Sequence, residues 1–255
     1  IELGVGHILE GSVRRAGGKI RVTAKLIDAR TGGQLWAERY DRETQGVFAV
    51  QDEIAGRVVE QLSRTFGIGS LSPAKRAYTP KVEAYDLYIQ GRVKRIPPTP
   101  PNLSAALGMF NKAIEIDPKF AGGYAGASFA HVLLYADSTA LADFPGDHLE
   151  TAERLARKAV ELDPDFGPAW GSLAEVYFRK GKFEEAIRAI EKAMKAAPSD
   201  SLMRANYGRL LGHVGRAEKG IEQIRLAIRM SPDSLPLLYF LGANFRVAGQ
   251  FDKAI

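Results

Sequence analysis

The sequence predicts a mostly α-helical chain: an α-solenoid of helix-turn-helix repeats, preceded by a small α/β piece made of a three-stranded antiparallel meander and one helix. Three observations carry this reading. Prolines at 164, 198 and 232 recur every thirty-four residues. Between them, small and apolar residues return at helical spacing. Over residues 7–41 the apolar period is two instead of 3.6.

The meander comes first. Ile20, Val22, Ala24 and Leu26 alternate with Lys19, Arg21, Thr23 and Lys25, the pattern of a strand with one face buried. Ala16-Gly17-Gly18 turns this strand back on a preceding one over residues 8–15, giving a hairpin. A second turn over residues 28–33 leads to a third strand, 34–41, with Leu35, Trp36 and Tyr40. Val47, Val50, Ile54, Val58 and Leu62 then fall at helical spacing, a helix over 47–66 that covers one sheet face. These elements form a first domain, residues 1–66, small enough to be marginal by itself. Residues 67–82, with glycine, serine, proline and basic side chains, read as a linker.

Residues 83–255 read as five repeats: 83–118, 119–164, 165–198, 199–232 and a truncated 233–255. The third is the reference unit. Trp170, Leu173, Ala174 and Tyr177 stand at i, i+3, i+4 and i+7 on one face of a first helix. Gly181 follows the basic Arg179 and Lys180 and supplies the left-handed residue that ends a helix. Ala186, Ile190 and Ala193 line the second helix, small where two helices meet closely, and Pro198 closes the unit. A shift of thirty-four puts Tyr207, Gly208, Leu211, Gly215, Gly220, Ile224 and Ala227 in the same slots. The next shift gives Leu238, Leu241, Gly242, Phe245, Gly249 and Ala254. Backwards, Pro118 lies forty-six residues before Pro164, and the surplus of twelve is assigned to an enlarged loop over 136–147. The first repeat is degenerate. Ala106, Phe110 and Ala113 fit its second helix, whereas a first helix near 83–92 fits loosely, with Ile-Pro-Pro-Thr-Pro-Pro between the two. One hairpin cannot bury its own apolar face, so the units must stack.

Composition narrows the function classes. The chain has 255 residues, 45% hydrophobic and 25% charged, ordinary for a globular protein. No window reaches the run of about twenty apolar residues that a membrane helix needs. The absence of cysteine excludes disulfides and thiolate metal sites, and fits a cytoplasmic location. His7, His131, His148 and His213 are isolated in sequence and match no metal-ligand spacing, so no metal site is assigned. No phosphate loop, dinucleotide fingerprint or nucleophile elbow is present; no catalytic residue and no cofactor is assigned. Glu184, Glu185 and Glu191 stand near Arg188 and Lys195 at the spacing of helix-surface ion pairs. Arg14, Arg15, Lys19, Arg21 and Lys25 cluster on the strands without interleaved aromatics, which argues against a nucleic-acid platform.

The order of Trp170, Leu173, Ala174, Tyr177, Gly181, Ala186, Ile190, Ala193 and Pro198 resembles the tetratricopeptide repeat. Residues 3–42 and Phe-Ala-Val-Gln-Asp-Glu-Ile-Ala at 48–55 resemble the second half of the TolB-like amino-terminal domain of bacterial signalling proteins; residues 84–92 (Ala-Tyr-Asp-Leu-Tyr-Ile-Gln-Gly-Arg) also match those proteins. In that family an α/β half lies upstream, so the resemblance implies that residues 1–66 are part of a larger domain, with a sheet edge open to self-association. Such segments commonly follow a class III adenylate or guanylate cyclase domain or a winged-helix DNA-binding domain. The function implied is a non-catalytic protein-interaction and regulatory scaffold of a signalling protein. An alternative makes the chain the C-terminal sensory region of a cyclase, and a third an envelope scaffold in the periplasm.

The resemblance also implies where a partner sits. First helices line the inner wall of such arrays, and repeat proteins bind there. The inward slots are Glu175 and Arg179; Asn206, Arg209 and His213; Tyr239 and Arg246; and, in the long-loop repeat, Phe129 with Val132. An aromatic, several guanidinium groups and an amide suit an extended, acidic protein segment or peptide. The carboxylate clamp of the chaperone-binding subclass is not matched, because its slots hold Gly171, Glu175, Asn206, Pro236 and Phe240. The truncated last repeat, with Leu238, Leu241 and Phe245, is a second expected place of self-association.

Overall fold

The structure, a computed structural model, describes residues 5–17, 19–43, 47–67, 69, 78–136 and 146–254. The chain divides into two compact units, Ile1–Thr79 and Pro80–Ile255.

In the first unit β1 (His7–Ala16), β2 (Lys19–Asp28) and β3 (Gln34–Glu43) form an antiparallel sheet in that order, followed by α1 (Val47–Phe66). The β-branched and aromatic residues expected on one face are cross-strand partners: Val13 with Val22, Val22 with Tyr40, Leu26 with Trp36. Asp28 shapes the second turn. Its Oδ1 accepts from the Arg30 and Thr31 N–H groups at 2.9 and 3.2 Å, and Gly32 takes φ 68°. Ala24, Leu26 and Tyr40 from the sheet and Phe48 and Val50 from α1 are buried. The Arg42 guanidinium meets Glu53 and ties β3 to α1. β1 is less covered: Leu9 and Val13 are 51% and 70% exposed although their partners Leu26 and Val22 point toward the core. On the opposite face Arg14, Arg21, Lys25 and Arg39 line an open hollow of about 300 Å³. Arg21 and Arg39 both bind Asp41, at 2.6 and 3.0 Å, and hold its carboxyl below the usual carboxylate range. Half of this basic cluster is therefore paired within the sheet; the Arg15 side chain lies outside the described residues.

The second unit is all helix: α2 (Val82–Lys94), α3 (Pro100–Ile116), α4 (Ala121–Ala136), α5 (His148–Leu162), α6 (Gly167–Arg179), α7 (Phe183–Ala196), α8 (Ser201–His213), α9 (Ala217–Met230) and α10 (Leu235–Val247), then a 3₁₀ turn, Phe251–Lys253. Helices pack as consecutive hairpins. First helices α2, α4 and α6 also touch in order, as do α8 and α10. The expected enlarged loop of residues 136–147 falls largely on 137–145, outside the described residues.

The period has a visible mechanical basis. Gly181, Gly215 and Gly249, thirty-four apart, take φ 72°, 78° and 71°. After each, the next N–H reaches back to close the helix: Lys182 to Tyr177 O, Arg216 to Leu211 O and Gln250 to Phe245 O, all 2.9 Å. A left-handed backbone costs a side-chain-bearing residue 1–2 kcal/mol or so, which explains glycine in this slot. Trp170 Nε1 and Tyr124 Oη donate to the carbonyls of Pro164 and Pro118, each six residues earlier, at 2.7 and 3.2 Å. Ala174, Ala186 and Ala193 are buried with Ile190 in one core cluster, so the alanine slots are indeed those where helices approach. The first repeat departs from the pattern in a readable way. Its first helix runs on to Lys94, and a Cβ on Gly91 would stand 2.6 Å from the Phe110 ring. Phe110 holds the slot of Ile190 and Ile224 in the later repeats, and its ring packs where Gly91 leaves the first helix without a side chain.

Candidate binding groove

The first helices carry two side-chain clusters, one at each end of a common surface. The first cluster belongs to α2 and α4. Arg95, the residue that caps α2, lies over the Phe129 ring with its guanidinium carbon 4.6 Å from the centroid. Arg92, one turn earlier, lies over Tyr88 at 5.6 Å. Tyr88 is itself held among Phe110, Phe120 and Phe166, so the platform is fixed from below. A cavity of about 120 Å³ opens beside these rings, crossing the first helices of four successive repeats. Ala125, Gly126, Pro168 and Gly171 give it a small-residue floor; Leu202, Met203 and Asn206 stand on its α8 side. Asp200 also lines it, but its Oδ1 already caps α8 by accepting from the Met203 N–H at 3.0 Å. Burial, and after it the charge of Arg92, push the Arg95 guanidinium below its ordinary value. Among the described residues no carboxylate stands within ion-pair distance of Arg92 or Arg95.

The second cluster joins α6 to α8. Glu175 pairs with Arg179 at 3.0 Å and with Arg209 from the following repeat. Glu175 and Arg209 are 13% and 14% exposed, so the pair is largely withdrawn from water. Arg209 also lies over Phe178 at 4.3 Å, and the edge of that ring meets His213 at 4.8 Å. Burial chiefly lowers both the Arg209 guanidinium and the His213 imidazole, and each cation adds to the effect on the histidine. Asn206 connects the clusters: it lines the cavity and accepts a 3.4 Å contact from Arg209 Nε.

Of the residues expected in the groove, Glu175, Arg179, Asn206, Arg209 and His213 therefore come together, and Phe129 stands at the other end. Tyr239 and Arg246 lie on α10, outside both clusters; Tyr239 is 68% exposed, its ring tilted against Phe240 with centroids 6.1 Å apart. Val132 is corrected. It is fully buried, with Leu149, Ala152 and Val176, because it faces the second helix of its own repeat. His131 and His148, isolated in sequence and seventeen residues apart, meet with their Nδ1 atoms 2.8 Å from each other. Glu191 accepts from the Tyr207 hydroxyl at 3.3 Å. The sequence reading missed Arg95, because it lies beyond the helix end assigned near residue 92, and Phe178, which is not among the inward slots of its helix. Among the described residues no group of three or more His, Cys, Asp or Glu is placed to hold a metal ion. No helix there is long and apolar enough to cross a membrane.

The Glu175 bridge between repeats has a measurable consequence. Glu175→Ala leaves Arg209 and Arg179 facing each other without their shared acid, and is expected to lower unfolding free energy by about 1.5 kcal/mol. Urea unfolding of the variant at moderate salt measures this. A change under about 0.3 kcal/mol would reduce the bridge to a surface contact.

Residues 147–210 match the family model for the tetratricopeptide repeat. A protein of Rhizobium meliloti (strain 1021) named "Putative adenylate cyclase 3" is 37% identical over 169 residues, covering 64% of this chain and 27% of the relative. The small glutamine-rich tetratricopeptide repeat-containing protein 2 of Mycosarcoma maydis is 27% identical over 100 residues, 39% of this chain and 25% of that protein. The chain thus spans about a quarter of the length of each of these relatives. Among solved structures, a thermophilic TPR protein of Thermus thermophilus superposes with a TM-score of 0.51 at 19% identity, covering 81% of this chain and 95% of that one. Stacked hairpins, their glycine-closed first helices and these likenesses agree: the helical part of the chain is a tetratricopeptide-repeat α-solenoid.

Proposed function

We propose that the chain is a non-catalytic protein-interaction and regulatory module of a bacterial signalling protein, and that a segment of its partner lies along the first helices. The observation that carries this is the cavity crossing α2, α4, α6 and α8, where aromatic, cationic and small side chains share one surface. In this reading residues 1–66 are part of a TolB-like domain, residues 67–82 a linker and residues 83–255 the binding array, working in the cytoplasm. Phe129, Glu175, Arg179, Asn206, Arg209, His213, Tyr239 and Arg246 are its proposed groove residues.

The test uses a photo-crosslinking amino acid at Leu202, beside the cavity, and at Lys112, exposed on α3. In cells that express the protein, Leu202 is expected to crosslink to a defined peptide of one protein, mapped by mass spectrometry, and Lys112 is not. Equal crosslinking from both positions, or none from Leu202, overturns the groove reading.

One observation favours a second reading, that the array is the regulatory region of a nucleotide cyclase. The relative of Rhizobium meliloti carries that activity in its name and shares 37% identity over 169 residues. Removing residues 83–255 from the full-length protein is then expected to change its cyclic AMP or cyclic GMP output. Unchanged output removes this reading and leaves the interaction module standing.

A further inference from the structure

The two clusters on the first helices differ in one respect that decides where an anion goes. Glu175 already neutralises the α6–α8 cluster: it binds both Arg179 and Arg209, and Arg209 is packed against Phe178. An incoming carboxylate would have to displace an internal acid that is itself poorly hydrated. At the other end Arg92 and Arg95 stand side by side, neither with a carboxylate among the described residues, and the Arg92 charge bears unfavourably on Arg95. Two like charges held close on a rigid aromatic platform are relieved by one anion between them. A guanidinium stacked on a ring keeps its N–H edge for planar, bidentate recognition of a carboxylate.

We propose that Arg92 and Arg95, on the Tyr88–Phe129 platform, form the carboxylate-receiving end of the groove, and that its occupant is an extended peptide segment with an internal Glu or Asp close in sequence to an apolar side chain. The cavity supplies the polarity of this arrangement. Its acid, Asp200, lies on the α8 side together with Leu202 and Met203, so it repels a carboxylate there and leaves that side to the apolar residue. Because the cavity is an open groove crossing four helices, the segment passes through it and presents a side chain instead of a chain end. Asn206, between the clusters, is placed to bond the backbone of the segment. This inference rests on the groove reading above and extends it from a surface to a ligand class.

The experiment is a selection of random linear peptides, displayed with amidated C-termini, against the whole chain, its Arg92→Gln and Arg95→Gln variants and a Leu202→Asp variant. A second library with free C-termini is run in parallel. Peptides carrying an acid within one or two positions of an apolar residue, on either side of it, are expected to enrich from the amidated library. Re-synthesised, they should bind each arginine variant tenfold or more weakly, and bind less tightly as salt rises. Arg92 is exposed, so Arg92→Gln keeps the test open should Arg95→Gln disturb packing on Phe129. Enriched peptides without an acid, or binding indifferent to both arginines yet lost with Leu202→Asp, overturn the carboxylate proposal and keep the groove. Enrichment confined to free C-termini overturns the internal-acid occupant. No enrichment from either library overturns proposal and groove together.

Discussion

Gly208→Ala is expected to lower the unfolding free energy of the repeat unit by 2–3 kcal/mol or so, although alanine is the better helix former. Gly208 on α8 faces Gly220 on α9, and the two backbones are in contact. A Cβ on Gly208 would stand 2.6 Å from the Gly220 carbonyl oxygen and 2.7 Å from Ile224 Cγ1. A Cβ on Gly220 would meet the Gly208 carbonyl oxygen in turn, and Asn244 Oδ1 at 2.7 Å. A flexible side-chain end can swing away from such an overlap. A carbonyl held in its helix cannot, so α8 and α9 must separate along their length and loosen the buried Ala205, Ile224, Ala227 and Leu237. The helix-propensity gain of about 0.5–1 kcal/mol offsets only part of the overpacking cost. Gly108→Ala on α3 is the control: a Cβ there meets nothing within 4 Å, so it should stabilise by about 0.5–1 kcal/mol. Urea unfolding of both variants decides the matter, and a Gly208→Ala variant within 0.5 kcal/mol or so of the parent would refute the account.

The same pair shows how much of the fold can be read before any coordinates exist. Thirty-four residues earlier the slots hold Ala174 and Ala186, both buried in one cluster, so α6 and α7 are spaced for two methyl groups while α8 and α9 are spaced for none. What recurs in a repeat array is what every hairpin needs: small residues at the crossing, glycine at the left-handed turn, proline at the close. Periodicity therefore exposes the solenoid directly, as it exposed the meander through the alternation of β2. A binding site is made of what the repeats do not share. Arg95 follows the end of α2, in the least regular repeat, and has no counterpart at the same offset to mark it. Phe178 holds none of the recurring slots and becomes the shared platform of Arg209 and His213 only when α8 stacks on α6. Glu175 and Arg209 were legible as inward residues, but their pairing across thirty-four residues was not, and it sets the Arg209 charge against an internal acid.

His131 gives the repeats a pH dependence with a fixed sign. Its Nδ1 meets Nδ1 of His148 on the neighbouring helix, an arrangement in which one ring donates and the other must be an unprotonated acceptor. Burial, then the proximity of His148 and Arg154, depress the His131 pKa from 6.5 to about 4. Between those values the unfolded chain carries a proton on this ring that the folded chain does not. Stability is therefore full above about pH 6.5 and is lost as pH falls toward 4, with no further loss from this group below that. A shift of this size corresponds to about 3 kcal/mol, and partial exposure of the ring with solvent screening reduces the expected loss to about 2 kcal/mol. More than half of it should appear between pH 7 and pH 5, before most carboxylates titrate. His131→Asn keeps a side-chain N–H near the same position for His148 but cannot titrate, so its stability should be flatter over that interval. Following the ring by NMR gives the pKa directly, and unfolding midpoints of parent and variant give its energetic consequence. Parallel pH profiles for the two proteins, or a His131 pKa near 6.5, would show that the imidazole pair carries no strain against protonation, and the acid sensitivity of the array would then have to come from its carboxylates.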